Sequence, residues 1–191
     1  MPDDDWIETL RWEFAALDCR RETKRLELLH ARWVEEAPRS VTAASRLVEL
    51  CSDDDANTQI GASWLLRARL EQLDATDVDI GPGFVAELAA HLPAIREPWA
   101  RQHVCQCLGV LVIPAPHAPE FTTFLRAAAD AEPKFLRAWG LDGFVRLSWQ
   151  HPELAAEASE RLRSAEEDEA ASVRARARNL LREAARRPSA E

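Results

Sequence analysis

Apolar residues recur along most of the chain every three or four positions, the spacing that places them on one face of an α-helix. The first such stripe consists of Trp6, Leu10, Phe14 and Leu17. Later segments begin at prolines, which suit the first turn of a helix because the N–H that proline lacks would be unpaired there. These prolines are Pro82, Pro98, Pro119, Pro133 and Pro152. The pattern predicts an all-α chain of about ten helices.

One short apolar run, residues 110–113, also fits a β-strand. This run follows directly on the helix that begins at Pro98, and the run is ended by Pro114. Because no partner strand is visible in the sequence, we interpret the run as the buried end of that helix.

The predicted helices repeat as pairs. Four longer helices align so that Gln59, Arg101, Arg137 and Arg174 fall at one matched position, with spacings of 42, 36 and 37 residues. Each is preceded by a shorter helix, and helix pairs at such a period are typical of α-solenoids. We therefore predict a single domain over residues 1–191, a right-handed α-solenoid of antiparallel helix pairs. Residues 40–187 would form four repeats, and residues 1–38 a less regular capping pair.

The last repeat carries the closest match to a known pattern. Its second helix has Val173-Arg174, Ala177 and Leu180-Leu181, and the turn before it contains Asp168. This pattern resembles the second helix of a HEAT repeat, and the units that begin at Pro98 and Pro133 repeat it less closely. The resemblance covers roughly residues 40–187 and implies a HEAT-like or armadillo-type array. Most members of that superfamily form interaction surfaces, and a few are enzymes.

Charge and cysteine usage limit the partners and the compartment. The net charge of −9 disfavours indiscriminate binding to nucleic acid or to anionic membranes. No apolar run approaches the roughly 20 residues that a transmembrane helix needs, and the first residues are acidic where a signal peptide is basic. The four cysteines lie within helical patterns. We expect a cytoplasmic protein with reduced thiols, and the near absence of lysine is typical of a GC-rich bacterial genome.

No metal site is complete in the sequence. Residues 53–57 have the spacing that begins a calcium loop, but Thr58 and Trp64 stand where that loop needs glycine and glutamate. His103 and Cys107 share a helix face, yet no second pair with ligand spacing follows them. We therefore expect no bound metal.

Catalytic motifs are equally incomplete. The stretch around Ser63 lacks the second glycine and the preceding strand of a nucleophile elbow. There is no phosphate-binding glycine loop and no dinucleotide fingerprint. We expect no cofactor and no catalytic set, which favours a non-enzymatic role.

Arginines supply the main candidate binding residues. Arg101, Arg137 and Arg174 at the matched position would form a basic ladder along the concave face of a solenoid, suited to acidic groups. Arg178 and Arg182 continue the pattern in the last helix. The alternative is that these arginines pair with the acids at 166–169 and complement the helix dipole. Trp99 is a further candidate, because tryptophan is enriched at binding hot spots.

These features predict a small cytoplasmic scaffold or adaptor that binds a protein partner along its concave face. The alternative is a nucleic-acid-acting protein similar to the HEAT-like alkylpurine DNA glycosylases, which bind DNA on a concave basic surface. The acidic net charge disfavours nucleic acid as a partner. A second copy of the chain, docked on the last helix, is also open at this point.

Overall fold

A computed structural model describes residues 3–36, 41–72 and 82–187. This part of the chain contains ten α-helices and no strand, which confirms the all-α prediction. The helices are α1 Asp3–Ala15, α2 Thr23–Glu36, α3 Val41–Cys51, α4 Ala56–Gln72, α5 Pro82–His91, α6 Pro98–Cys107, α7 Ala118–Ala129, α8 Lys134–Ser148, α9 Ala155–Glu166 and α10 Ala171–Ala184. Three short 3₁₀ turns, Leu92–Ala94, Ala115–His117 and Pro152–Leu154, follow α5 and precede α7 and α9.

The helix starts follow the local chemistry of the sequence. Pro82 and Pro98 are the first residues of α5 and α6, and Pro133 caps α8. At the start of α6 the Glu97 carboxylate accepts a hydrogen bond of 2.7 Å from the backbone N–H of Trp99. These caps bond or remove N–H groups that the first helical turn would otherwise leave unpaired.

The interpretation of residues 110–113 as a helix end is wrong. Helix α6 ends at Cys107, and the segment after it is irregular. The side-chain amide of Gln150 hydrogen-bonds the backbone of this segment as a partner strand would. It accepts from the Ile113 N–H at 2.7 Å and donates to the Leu111 carbonyl at 3.0 Å. His151 Nε2 lies 2.9 Å from the Ile113 carbonyl. Two side chains that are distant in sequence therefore bond this backbone.

The helices pack in two groups. Helices α4, α6, α8 and α10 form one row in which each helix contacts the next, and α3, α5 and α7 form a second row. Helix α9 packs on α8 and α10, while α1 and α2 pack on α4. Residues 58–63 of α4 are all buried, because α4 has neighbours on every side.

Glycine permits the closest helix contact. A Cβ atom on Gly140 of α8 would lie 2.3 Å from the backbone N of Ala129 and 2.4 Å from the backbone C of Ala128. The absence of a side chain at Gly140 therefore lets α7 approach the backbone of α8.

None of the helices in the described ranges is long and apolar enough to cross a membrane.

Candidate functional site

The matched positions of the repeat close the turns between helices. Gln59 donates 2.7 Å to the Asp53 carbonyl, Arg137 donates 3.0 Å to the Ala131 carbonyl, and Arg174 donates 2.5 Å to the Asp168 carbonyl. In each case the acceptor lies six residues earlier in the chain. The three positions aligned by sequence thus make the same contact in the structure, and we call this set, with Arg101, the turn ladder.

Two members of the turn ladder also reach the next turn. The Nε and Nη2 atoms of Arg137 lie 2.9 and 3.1 Å from the two carboxylate oxygens of Asp168. This hydrogen-bonded pair lowers the pKa of Asp168 below its ordinary value. The amide oxygen of Gln59 accepts 3.0 Å hydrogen bonds from the backbone N–H groups of Arg96 and Glu97. The structure therefore places Arg137 and Arg174, two predicted binding residues, in contacts that hold turns together.

Arg101 makes a different contact. Its guanidinium lies over the ring of Phe124, with Cζ 5.2 Å from the ring centroid. Among the described residues it has no ion-pair partner, in contrast to Arg137. Arg101 borders a cleft of about 510 Å³ whose lining includes Leu92, Ile95 and Phe124. We call this the Arg101 cleft.

Arg178 and Arg182 are exposed on α10, the last helix of the described chain. Arg182 Nε is 3.4 Å from the Arg178 carbonyl, and its Nη2 donates to the Asn179 side chain. Neither arginine has a carboxylate partner within the described ranges. Both lie near Leu181, which is itself exposed. The structure does not bring them together with Arg101 or Trp99 in one cleft.

Trp99 lies in a cleft between α4, α6 and the turn that joins α1 to α2. Its ring stacks on Phe135 with centroids 4.4 Å apart and planes inclined by 22°. The cleft has a volume of about 220 Å³. We define the Trp99 cleft by the α4 and α6 residues that line it: Trp64, Arg67, Trp99, Gln102, His103 and Gln106.

Polar atoms without partners concentrate in the Trp99 cleft. Within the described ranges, six buried side-chain nitrogen or oxygen atoms lack a hydrogen-bond partner, and three belong to this cleft. They are Arg67 Nε, Gln102 Oε1 and Gln106 Oε1. Sequence reasoning missed all three residues. The spacing of Trp99, Gln102 and Gln106, which places them on one face of α6, is the signal that could have identified them.

His103 adds a neutral imidazole to the cleft. Its Nδ1 lies 3.0 Å from Ser63 Oγ, and Ser63 donates its single hydroxyl hydrogen to the Ile60 carbonyl at 3.0 Å. We therefore assign the proton to Nδ1, which leaves Nε2 as an acceptor. Burial, with a contribution from the charge of Arg67, lowers the pKa of His103 to about 3, so the ring is uncharged at neutral pH.

The Ser63–His103 contact does not form a nucleophile and base for catalysis. Ser63 has no exposed surface, so a substrate cannot reach its hydroxyl. Cys107, the metal-ligand candidate nearest His103, instead donates from Sγ to the His103 carbonyl at 3.3 Å. In the part of the chain that the structure describes, no three His, Cys, Asp or Glu side chains are grouped to hold a metal ion.

Comparison with known proteins gives no match: no family model fits the chain, and no curated protein or solved structure is significantly similar to it.

Proposed function

We propose that the protein is a HEAT-like, right-handed α-solenoid that acts as a scaffold and binds a protein partner along the α4–α6–α8–α10 row. Consecutive contacts along this row support the solenoid, because each helix packs on its neighbour. The turn ladder supports it as well, since Gln59, Arg137 and Arg174, three of its four members, make equivalent contacts with their own turns. The row is the concave face in this proposal.

The Trp99 cleft carries the proposal. Three buried polar atoms of this cleft have no hydrogen-bond partner among the residues that the structure describes. Each such atom lowers the free energy of unfolding of the unbound protein by about 1–3 kcal/mol. A partner that bonds them relieves this cost. The residues with unpaired atoms line the same cleft as the half-buried Trp64 and Trp99, whose rings provide contact area for an apolar group.

The chemistry of the cleft fits a peptide main chain. Gln102 and Gln106 each present an amide that donates and accepts, as a peptide group does. The two cations that line the cleft are already paired, Arg20 with Glu97 and Arg67 with Glu71. The glutamine amides, in a cleft that also contains two tryptophan rings, therefore suit an extended polypeptide segment.

The arginines farther along the row argue against a phosphate backbone as the partner. Arg146 is paired with Asp142 at 2.7 Å and with Glu183 at 2.9 Å. Arg176 lies 3.3 Å from the same Asp142 carboxylate. Binding to nucleic acid needs cations that are free to displace counterions, but these two cations are neutralised within the protein and the net charge of the chain is −9. We therefore favour a protein partner over nucleic acid.

The test compares partner capture by the tagged wild-type protein and by the double variant Gln102→Met, Gln106→Met. The variant removes the hydrogen-bonding groups and keeps side-chain length. Gln72→Met is the matched control, because Gln72 is exposed at the end of α4 and outside the cleft. We expect the wild type and the control to recover a stoichiometric protein that survives nuclease treatment, and the double variant to lose it. Recovery that disappears with nuclease, or that the double variant retains, contradicts the proposal.

A further inference from the structure

Two turns of the array contain an aspartate in the same structural role. Asp53 precedes α4 and Asp168 precedes α10, and each carboxylate accepts from the backbone N–H two residues later, at 2.9 and 2.7 Å. Each also pairs with an arginine from an earlier helix: Arg11 Nε lies 2.9 Å from Asp53, and Arg137 Nε lies 2.9 Å from Asp168. The aspartate therefore joins its turn to a preceding helix.

The turn between α7 and α8 has no carboxylate at the equivalent position, and the neighbouring Asp130 is paired with Arg161 at 2.8 Å. Ala131 occupies the equivalent place, because its carbonyl accepts from Arg137 just as the Asp168 carbonyl accepts from Arg174. The arginine that would reach an acid at this place is Arg101 of α6, by analogy with Arg137 of α8. A methyl group cannot accept a hydrogen bond, and Arg101 lies over the Phe124 ring instead.

Arg101, which makes no such contact, lines the Arg101 cleft. Its volume is about 510 Å³, and Leu92, Ile95 and Phe124 give it an apolar floor. Arg96 and Arg101 line it with two positive charges, and Glu120 supplies one negative charge. Neither arginine has an ion-pair partner in the described parts of the chain. The cleft thus combines an excess positive charge with an apolar surface.

We propose that the Arg101 cleft binds an acidic side chain of the protein partner, next to an apolar residue of the same segment. The partner's carboxylate takes the place against Arg101 that Asp168 takes against Arg137. The neighbouring apolar side chain packs on Phe124 and Leu92. This inference rests on the proposed function for the class of partner, and it adds a second contact with its own chemistry.

The experiment measures binding of two defined peptide libraries to the full chain. Both contain capped heptapeptides with apolar residues flanking the centre; one has Asp or Glu at the centre, and the other has Asn or Gln. We expect the wild type to bind the acidic library about tenfold more tightly, as one charge-assisted contact allows. Arg101→Gln should remove this preference. Ala131→Asp should remove it too, because an internal carboxylate then occupies Arg101. Arg163→Gln, at an exposed arginine of α9 outside the cleft, is the control and should retain the preference.

Equal affinity of the two libraries for the wild type overturns the proposal, and so does an undiminished preference in Ala131→Asp or in Arg101→Gln. The variant Gln102→Met, Gln106→Met leaves the Arg101 cleft unchanged and should keep the acidic preference. Its loss of the native partner therefore tests the proposed function separately. The melting temperatures of the variants show that each is folded, and Ala131→Asp should melt no lower than the wild type.

Discussion

Replacing both glutamines of the Trp99 cleft with methionine should stabilise the unbound protein while it weakens binding. Gln102 and Gln106 each have a buried amide oxygen with no partner in the described part of the chain. Methionine keeps the length and flexibility of glutamine without a buried amide.

The expected gain follows from these contacts. An unpaired buried polar atom costs about 1–3 kcal/mol, and both glutamines are partly exposed, so we expect about 1 kcal/mol per site at the lower end. Glutamine and methionine have similar helix propensities, so the backbone adds little. The double variant should gain about 2 kcal/mol. With a urea m-value of about 2 kcal/mol/M, the unfolding midpoint should rise by about 1 M.

Urea unfolding, followed by the helical circular dichroism signal, measures this change. The exposed control Gln72→Met should shift the free energy of unfolding by less than about 0.5 kcal/mol. An unchanged or lowered stability of the double variant refutes the reasoning. It would mean that the glutamine side chains already have hydrogen-bond partners in the unbound protein and are not available to bond a protein partner.

Gly140→Ala should lower the free energy of unfolding, measured by thermal unfolding, by about 3 kcal/mol or more, because its Cβ would lie 2.3 Å from the α7 backbone. Gly83→Ala is the control: its Cβ has open space around it, so the change should be neutral or slightly stabilising. Hydrogen bonds from Arg126 and Arg161 lower the pKa of Glu157 to about 2 from 4.5, so its contribution is present above pH 4.5 and is lost as the pH falls through 2. Glu157→Gln should therefore cost about 1 kcal/mol at neutral pH and nothing at the acid end of a stability–pH series. Burial raises the pKa of all four cysteines, so a thiol reagent should react slowly with the native protein. After unfolding, the same reagent should react with four thiols. Rapid reaction with the native protein would contradict this burial.

The sequence was informative where structure depends on neighbouring residues. Stripes at helical spacing and prolines at first turns located most helices, because both act within one or two turns of the chain. The alignment of Gln59 with Arg137 and Arg174 also proved structurally meaningful, since all three close their own turns. Residues 110–113 were misinterpreted because the groups that bond them, Gln150 and His151, lie nearly forty residues later.

The candidate sites depend on contacts between helices that are far apart in sequence, and a local sequence pattern does not show such contacts. Arg101 and Arg137 look equivalent in sequence, yet of the two only Arg137 pairs with a carboxylate of the next turn. That difference comes from Ala131 standing where Asp168 stands one unit later, and it becomes clear only once the turn contacts fix the register. The unpaired glutamines of α6 were likewise not recognised, because a polar residue on a helix is ordinarily interpreted as exposed.

Photo-crosslinking from the rim of the Trp99 cleft tests the central claim most directly. Thr23 is exposed and lines this cleft, whereas Trp12 is exposed and lines a separate groove between α1 and α2. The photo-crosslinker p-benzoylphenylalanine is placed at position 23 or at position 12. We expect position 23 to form an adduct with a polypeptide, and we expect less of this adduct in the variant Gln102→Met, Gln106→Met. Adducts formed only from position 12, or with nucleic acid from position 23, would contradict the central claim.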